Sequence, residues 1–203
     1  TELKGSVGTW GGSESGSPLN NKGEEKMIKV PVTDEIEEYA KKITASKNFG
    51  VRAAGFNGNR EKQTTGIMGE LAVYKILDKP FPDYEEFSFG DIDINGKQID
   101  IKTRRSSNSY MRPGWPHNLV KHQLTHLVEV VLFLNYNAGQ RTMEIDGWLT
   151  KEDIIKNLDL WSKAKGQSSV RDDGTRLKML TNNIEVPTEA VNKLNSVEEL
   201  QNI

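Results

Sequence analysis

The chain has 203 residues, enough for one domain with a sizeable core, and 27 Lys and Arg against 29 Asp and Glu leave a net charge of -2. This balance excludes an overall basic field, so any nucleic-acid binding must come from a local patch. The absence of cysteine excludes disulfides and thiolate metal sites. No apolar run approaches the roughly 20 residues of a membrane span, so we expect a soluble, cytoplasmic protein.

The first 26 residues differ in composition from the rest. They are rich in Gly and Ser and almost lack apolar side chains, so they cannot offset the entropy lost in forming a packed core. We predict a flexible arm over residues 1–26 and a single domain over residues 27–203. The first predicted helix follows in TDEIEEYAKKI, with Thr33 or Asp34 as its N-cap and with an apolar stripe of Ile36, Tyr39, Ala40 and Ile43.

The remaining pattern is a second helix followed by strands. That helix is predicted over residues 66–77 and is stopped by Pro80. Strand patterns lie in EFSFGDIDI, KQIDIK, LVEVVLFLNY and TMEIDGWLT. The segment between the second and third of these, TRRSSNSYMRPGWPHNLVKHQ, predicts a loop and a short helix. Beyond the strands, TKEDIIKNL predicts a capped helix, RLKMLTNNIEVP a strand and PTEAVNKL a helix.

The stretch GDIDINGKQIDIK, residues 90–102, has the pattern of a tight hairpin. Asn95-Gly96 is typical of a type I′ turn, because both central residues of that turn need positive φ. The turn pairs Ile92 with Ile99 and Asp91 with Asp100. Because side chains alternate along a strand, the two faces separate by chemistry. Ile92, Ile94, Ile99 and Ile101 form the apolar face, and Asp91, Asp93, Gln98, Asp100 and Lys102 form the polar one.

The acidic side of this hairpin raises the question of what offsets its charge. Like charges opposed across a ladder are destabilising, by roughly the 0.2–1 kcal/mol that favourable pairs contribute. A divalent cation reverses the sign, because Mg²⁺ is commonly held by one or two carboxylates with water and substrate phosphate. A solvated outer face is the alternative interpretation.

A second carboxylate stands out in the predicted second helix. Its apolar stripe consists of Ile67, Leu71, Tyr74 and Leu77, and Glu70 falls inside that stripe. A carboxylate on a core-facing stripe must be paired, bound to a metal or placed at the edge of the stripe. Pairing with an arginine at the stripe edge is the structural alternative to a functional role.

Together these residues resemble a known family. GIMGELAVYKIL followed by GDIDINGKQIDIKTRR is similar to the motif pattern of the PD-(D/E)xK nuclease superfamily, the restriction-endonuclease-like nucleases of phages and bacteria. Gly90 stands where the family's name places a proline. The resemblance implies an α/β (α+β) fold with a restriction-endonuclease-like core, a central mixed sheet of four to five strands flanked by helices in the order αβββαβ.

The resemblance also implies a chemistry, metal-dependent endonuclease cleavage of DNA. Asp91 and Asp100, with the backbone carbonyl of Ile101, are expected to hold Mg²⁺, for which Mn²⁺ can substitute. Lys102 is expected to orient or deprotonate the attacking water and to stabilise charge on the phosphate. Glu70 is expected to ligate a second ion or a water on the first. Asp93 competes with Asp91, which we prefer for its position opposite Asp100.

A local basic segment is the candidate for contact with duplex or branched DNA. Residues 102–122 contain no Asp or Glu and hold several cations and aromatics. Such a segment can contact phosphates through Arg and Lys and stack on bases with its aromatics. An exposed basic loop that balances acids elsewhere is the alternative. The candidate contacts are Arg104, Arg105, Tyr110, Arg112, Trp115 and Lys121.

Other functional classes stay open. His117, His122 and His126 lie close in sequence, but no HExxH pattern accompanies them, so a surface or DNA-facing role is favoured over zinc. A non-catalytic DNA-binding or interaction module that keeps the nuclease fold is the main alternative to an enzyme, and an RNase is a further one. Many relatives act as homodimers, and the sequence leaves the oligomeric state open.

Overall fold

The computed structural model describes residues 27–47, 60–85, 90–106 and 114–203. The predicted arm over residues 1–26 lies outside these ranges, as do Tyr110 and Arg112 of the predicted DNA contacts. None of the described helices combines the length and the apolar character that crossing a bilayer requires.

The described elements are, in chain order, β1 (Ile28–Pro31), α1 (Asp34–Ser46), α2 (Arg60–Ile76), β2 (Ile92–Ile94), β3 (Lys97–Ser106), β4 (His117–Val120), a 3₁₀ helix (Lys121–Thr125), β5 (Val130–Asn137), β6 (Thr142–Thr150), α3 (Lys151–Lys156), α4 (Leu158–Trp161), β7 (Ser162–Lys163), β8 (Ser168–Val170), β9 (Arg176–Lys178), β10 (Asn183–Val186), a second 3₁₀ helix (Thr188–Ala190) and α5 (Val197–Gln201).

A mixed five-stranded sheet forms the centre of the fold, in the order β1-β6-β5-β3-β2. β3 and β5 pair in parallel, and the other neighbours pair antiparallel. β5 reads VVLFLNYN and lies between two neighbours, and its residues from Val130 to Tyr136 are all buried. A continuous apolar run is what a strand covered on both faces requires. The predicted mixed sheet of four to five strands within an α+β fold is confirmed.

Helices α1 and α2 cover one face of this sheet. Thr33 caps α1 by accepting the N–H of Ile36, which confirms the first of the two predicted caps. α2 begins at Arg60, six residues before the predicted start, and ends at Ile76. Its buried face is broader than the predicted stripe, because small residues let the helix lie close to the sheet. That face consists of Thr65, Ile67, Met68, Gly69, Leu71, Ala72 and Val73.

Helix α2 lies very close to the sheet at Gly69. A Cβ atom at this position would lie 1.9 Å from Oγ1 of Thr103 on β3, a separation that atoms cannot adopt. Only glycine therefore allows α2 to pack against β3 at this depth. Glu70 is the next residue of the helix, so this contact sets how near its carboxylate comes to the strand that carries Asp100 and Lys102.

The opposite face of the central sheet is covered by the second half of the chain. Val131, Phe133 and Leu149 pack against a small sheet of order β4-β10-β7, and Leu119 and Ile184 are buried there. The predicted loop and short helix between β3 and β5 are β4 and a 3₁₀ helix, with residues 107–113 outside the described ranges. The tail prediction was wrong in part, because RLKMLTNNIEVP contains two short strands and PTEAVNKL forms only a 3₁₀ turn.

The predicted order αβββαβ is matched only in part. From α2 onward the chain runs through helix, three strands, a 3₁₀ helix and a strand, but the third strand, β4, belongs to the second sheet. The helix TKEDIIKNL is confirmed in its first part as α3. Thr150 forms a capping box there with Asp153, in which each side chain accepts a backbone N–H of the other residue.

Candidate metal and phosphate site

The hairpin folds as its sequence predicts. Asn95 and Gly96 both have positive φ, 53° and 83°, as a type I′ turn requires. The register pairs Ile92 with Ile99 and Ile94 with Lys97. All four predicted isoleucines are buried in the core beneath α1 and α2. Because side chains alternate along a strand, Asp100 and Lys102 lie on the other side of β3 from these isoleucines.

The regular ladder ends one residue before the predicted pair of aspartates. The last described pair is Ile92 with Ile99, and the backbone N–H of Asp91 donates to the carbonyl of Ile99 at 2.9 Å. The Asp91 carboxylate reaches across and accepts the N–H of Ile101 at 2.6 Å. Direct opposition of Asp91 and Asp100 within a ladder was therefore wrong in detail. The side chain of Asp91 still lies beside Asp100, because it bonds the residue that follows it.

The competing aspartate, Asp93, belongs to the turn. Its carboxylate accepts the N–H of Gly96 at 3.0 Å and the side-chain amide of Gln98 at 2.9 Å, and the residue is exposed. Both bonds stabilise the turn, so this carboxylate serves the turn and not the cluster around Asp100.

Lys102 lies next to Asp100 on the outward side of β3. Its ammonium group donates to Oδ1 of Asp100 at 2.5 Å, and the two side chains are 27 % and 13 % exposed. Residues two apart on a strand share a face, which explains the contact. The pair is reachable from solvent but mostly shielded, the environment in which a charged hydrogen bond is strongest.

Glu70 reaches the same region from α2. Its Oε2 accepts a hydrogen bond from the hydroxyl of Tyr84 at 2.8 Å, not from an arginine as the alternative interpretation supposed. A second tyrosine, Tyr74 on α2, donates its hydroxyl to the backbone carbonyl of Asp91 at 3.1 Å. Helix, hairpin and the segment between them therefore meet at one place.

The electrostatics of this cluster show that its carboxylates are crowded. Burial first, and then the charge of Asp91, raise the pKa of Glu70 well above its usual range, although the Tyr84 hydrogen bond lowers it. Burial raises the pKa of Asp91 to about 7; Asp100 adds to the increase, and Lys102 and the N–H of Ile101 oppose it. Burial and Glu70 raise the pKa of Tyr84 far above its usual value, so its hydroxyl remains a donor.

These residues fit a hard divalent cation in their chemistry. Three carboxyl groups, those of Glu70, Asp91 and Asp100, lie near one ammonium, and the raised pKa values of Glu70 and Asp91 mean that ionising all three together is unfavourable in this shielded place. Among the residues that the structure describes, no three His, Asp or Glu side chains form a complete metal-holding group. Mg²⁺ often takes only one or two protein carboxylates and fills its shell with water and substrate phosphate. Asp91 and Asp100 are the two carboxyl groups that could take part in that mode.

The predicted phosphate contacts divide between interior and surface. Arg104 lies inside the protein: its guanidinium pairs with Asp146 at 3.0 Å, both side chains are 9 % exposed, and it also donates to the carbonyl of Trp115. An arginine held this way is not presented to a phosphate. Arg104 was predicted as a phosphate contact because it lies in a run of cations. Such a run does not reveal that one of its members pairs with a buried acid.

The other predicted contacts are equally mixed. Trp115 is 8 % exposed, and its ring lies under the guanidinium of Arg171 at 5.5 Å, so it packs instead of presenting a face to a base. Arg105 is exposed, contacts Glu61 of α2 and lies over the ring of Tyr136. Lys121 is exposed at the start of the 3₁₀ helix. These two cations remain the described candidates for phosphate contact.

The histidines do not form a cluster in the structure. His117 is buried, with its Nε2 atom 3.0 Å from Oδ2 of Asp146 and its ring on Phe133. Burial lowers its pKa, against the opposing effect of Asp146. A surface role for His117 was therefore wrong, whereas His122 and His126 are exposed.

Sequence reasoning missed three residues of this region: Tyr74, Tyr84 and Asp146. Tyr74 was assigned to the apolar stripe, and its spacing four residues after Glu70 was the available signal. Asp146 lies in a strand whose pattern did not mark it as the partner of Arg104. Tyr84 lies in a segment without periodicity, so no sequence signal indicated its contact with Glu70.

Comparison of this chain with family models, with curated protein sequences and with solved structures gives no match. The functional interpretation therefore rests on the site itself.

Proposed function

We propose that the chain is a metal-dependent endonuclease that hydrolyses phosphodiester bonds of DNA, with a core of the PD-(D/E)xK type. The observation that carries this proposal is the meeting of Glu70, Asp91, Asp100 and Lys102 at one place beside β3, contributed by a helix, the start of a hairpin and its second strand. Glu70 and Asp91 are buried carboxyl groups with raised pKa values, and they lie near Asp100 and one lysine. Such a cluster is typical of a catalytic site and is costly in a merely structural one.

Asp91 and Asp100 would hold Mg²⁺ or Mn²⁺, with the carbonyl of Ile101 and with Glu70 nearby. The ion would supply Lewis-acid polarisation of the phosphate and a lowered pKa for a water molecule. The hydrogen bond from the N–H of Ile101 fixes the Asp91 carboxylate on the strand that carries Asp100. This arrangement keeps both acids in place before any ligand arrives, as preorganisation requires.

Lys102 supplies the positive charge of the site. Its ammonium group lies 2.5 Å from Asp100, and its side chain is still 27 % exposed, so it can reach a phosphate oxygen placed beside the two aspartates. From that position it orients the attacking water and stabilises the charge that develops on the phosphate. The exposed cations Arg105 and Lys121 would attract the substrate electrostatically. Arg104 would not take part, because it pairs with Asp146 in the interior.

The experiment that tests this function is cleavage of supercoiled plasmid, a short duplex, a single strand, a four-way junction and an RNA. Each substrate is incubated with Mg²⁺, Mn²⁺ or EDTA. The variant is Asp100→Ala. The matched control is Asp93→Asn, in the same hairpin but outside the cluster, and its side-chain oxygen can still accept the hydrogen bond of the turn. We expect metal-dependent DNA cleavage by the wild type and by the control, and none by Asp100→Ala.

Two other results would replace the proposal. Cleavage restricted to RNA would make the protein a ribonuclease with the same site. DNA binding without cleavage of any substrate by the folded protein would support a non-catalytic binding module. The branched or linear substrate that is cut fastest would define the DNA structure on which the site acts.

A further inference from the structure

The segment between α2 and the hairpin brings a tyrosine to the acidic site. Residues 81–85 follow the end of α2, and within them the hydroxyl of Tyr84 donates to Oε2 of Glu70 at 2.8 Å. Glu70 is a flexible side chain with three rotatable bonds before its carboxylate, so its position is not set by the helix alone. A hydrogen bond on one oxygen restricts the group and leaves its second oxygen to be directed toward the cluster.

The same segment is tied to α1 at several points independent of Glu70. Tyr39 donates its hydroxyl to the carbonyl of Pro82 at 3.2 Å, and its ring packs on Phe81 at 5.4 Å. Lys47, the C-cap residue that follows α1, donates to the carbonyl of Tyr84 and pairs with Glu85 at 3.6 Å. Contacts with Tyr39 and Lys47 therefore hold the backbone around Tyr84 in place. This restricts the position from which the Tyr84 hydroxyl bonds the Glu70 carboxylate.

We propose that Tyr84 is a positioning residue of the acidic site: its hydroxyl holds the carboxylate of Glu70 toward Asp91 and Asp100, and thereby increases the affinity of the site for a divalent cation. This inference rests on the proposed function, since the cation is the one that the nuclease chemistry requires. The geometry behind it is one direct hydrogen bond to Glu70 and four contacts that fix the segment behind it. Hydrogen-bonding partners of metal ligands are typically worth 10- to 100-fold in metal affinity.

The test is calorimetric titration of the full chain with Mn²⁺, without nucleic acid, for the wild type, Tyr84→Phe and Tyr39→Phe. Tyr84→Phe removes the hydroxyl and keeps the ring. Tyr39→Phe removes another hydroxyl that bonds the same segment but does not touch Glu70. We expect Tyr84→Phe to bind Mn²⁺ about 10-fold more weakly. Tyr39→Phe should bind within about twofold of the wild type, because its ring still packs on Phe81 and Lys47 still holds Tyr84 and Glu85.

A double-mutant cycle separates positioning from a general structural effect. In a Glu70→Gln background, Tyr84→Phe should cause no further loss of Mn²⁺ affinity, because the group that it holds is no longer a carboxylate. Equal losses with and without Glu70 would overturn the inference. If Tyr84→Phe does not fold, Tyr84→Met serves instead, since a flexible thioether fills the space without an O–H donor.

The inference and the proposed function fail in distinguishable ways. Wild-type protein that binds Mn²⁺ and cleaves DNA, with Tyr84→Phe binding as tightly, overturns the positioning role alone. Wild-type protein that neither binds Mn²⁺ nor cleaves any substrate overturns both. In cleavage assays the positioning role predicts that the reduced rate of Tyr84→Phe is restored by raising the Mn²⁺ concentration about 10-fold.

Discussion

The carboxylate of Asp91 accepts the backbone N–H of Ile101 at 2.6 Å, across the point where the hairpin ladder ends. This contact fixes the first acid of the site on the strand that carries the second acid and the lysine. It also occupies a donor that the strand edge leaves open once β2 has ended, so the same bond stabilises the edge and arranges the site.

Replacing Lys102 tests the charge of the site directly. Lys102→Ala should reduce metal-dependent cleavage by about 10²- to 10⁴-fold, since a positioned proton-transfer or charge-stabilising group contributes about that much. Lys97→Ala, an exposed lysine next to the turn of the same hairpin, is the matched control and should cleave normally. The measurement is the single-turnover rate at saturating Mg²⁺. An unchanged rate in Lys102→Ala would falsify the assignment.

The raised pKa of Asp91 predicts a stability that depends on pH. The folded chain keeps a proton on this group up to about pH 7, whereas the unfolded chain loses it near its ordinary value of 3.8. The contribution to stability is therefore complete below the lower value and is lost as pH rises through about 7, by about 1.4 kcal/mol for each pKa unit of difference. Glu70 acts in the same direction.

Urea unfolding in EDTA between pH 5 and 8.5 measures this effect. The wild type should lose stability as pH rises, and Asp91→Asn, which stays neutral, should lose less of it over the same range. Addition of Mn²⁺ at pH 8 should stabilise the wild type and have little effect on Asp91→Asn. Identical pH profiles for the two proteins would show that the pKa of Asp91 is not raised in the folded protein.

The packing of α2 against β3 should depend on the absence of a side chain at Gly69. Gly69→Ala should destabilise the protein by about 1–3 kcal/mol, because its Cβ would collide with Thr103 and push α2 from β3. Gly66→Ala in the same helix has no atom within 4 Å of the added Cβ and should stabilise by about 0.5–1 kcal/mol. Thermal unfolding of both variants gives the comparison, and destabilisation by both would implicate the helix backbone instead of the contact.

Arg104 and Arg105 are adjacent in sequence but should behave differently. Arg104→Ala leaves Asp146 with less compensation in the interior and should cost about 3 kcal/mol of stability, as removal of one partner of a buried pair does. Arg105→Ala should cost less than about 1 kcal/mol, since its pair with Glu61 is exposed. Its effect should instead appear as a shallower salt dependence of DNA affinity. A similar loss of stability in both variants would contradict this division.

Much of the local structure follows from short-range signals in the sequence. The type I′ turn at Asn95-Gly96, the isoleucine face of the hairpin and the cap at Thr33 were all predicted correctly, because each depends on residues within a few positions of one another. The sequence also led to the hypothesis of an acidic site at Glu70, Asp91 and Asp100, through the helix and hairpin patterns and the family resemblance, and that role stays a prediction. The sequence already favoured Asp91 over Asp93 for this cluster, and the structure adds that Asp93 bonds the turn whereas Asp91 bonds the N–H of Ile101.

The sequence by itself determined the hairpin turn, its isoleucine face and the mixed α+β composition, and it led to the hypothesis of a metal site. Only the tertiary structure decided that Arg104 faces a buried Asp146, that Trp115 packs under Arg171 and that Tyr84 bonds Glu70. It also decided that β4, β10 and β7 form a second sheet. The physical reason is the sequence separation of the residues that interact. Turns and caps are set by neighbours in the chain, whereas the partner of a buried charge is selected by packing between segments whose separation in sequence carries no periodic signal.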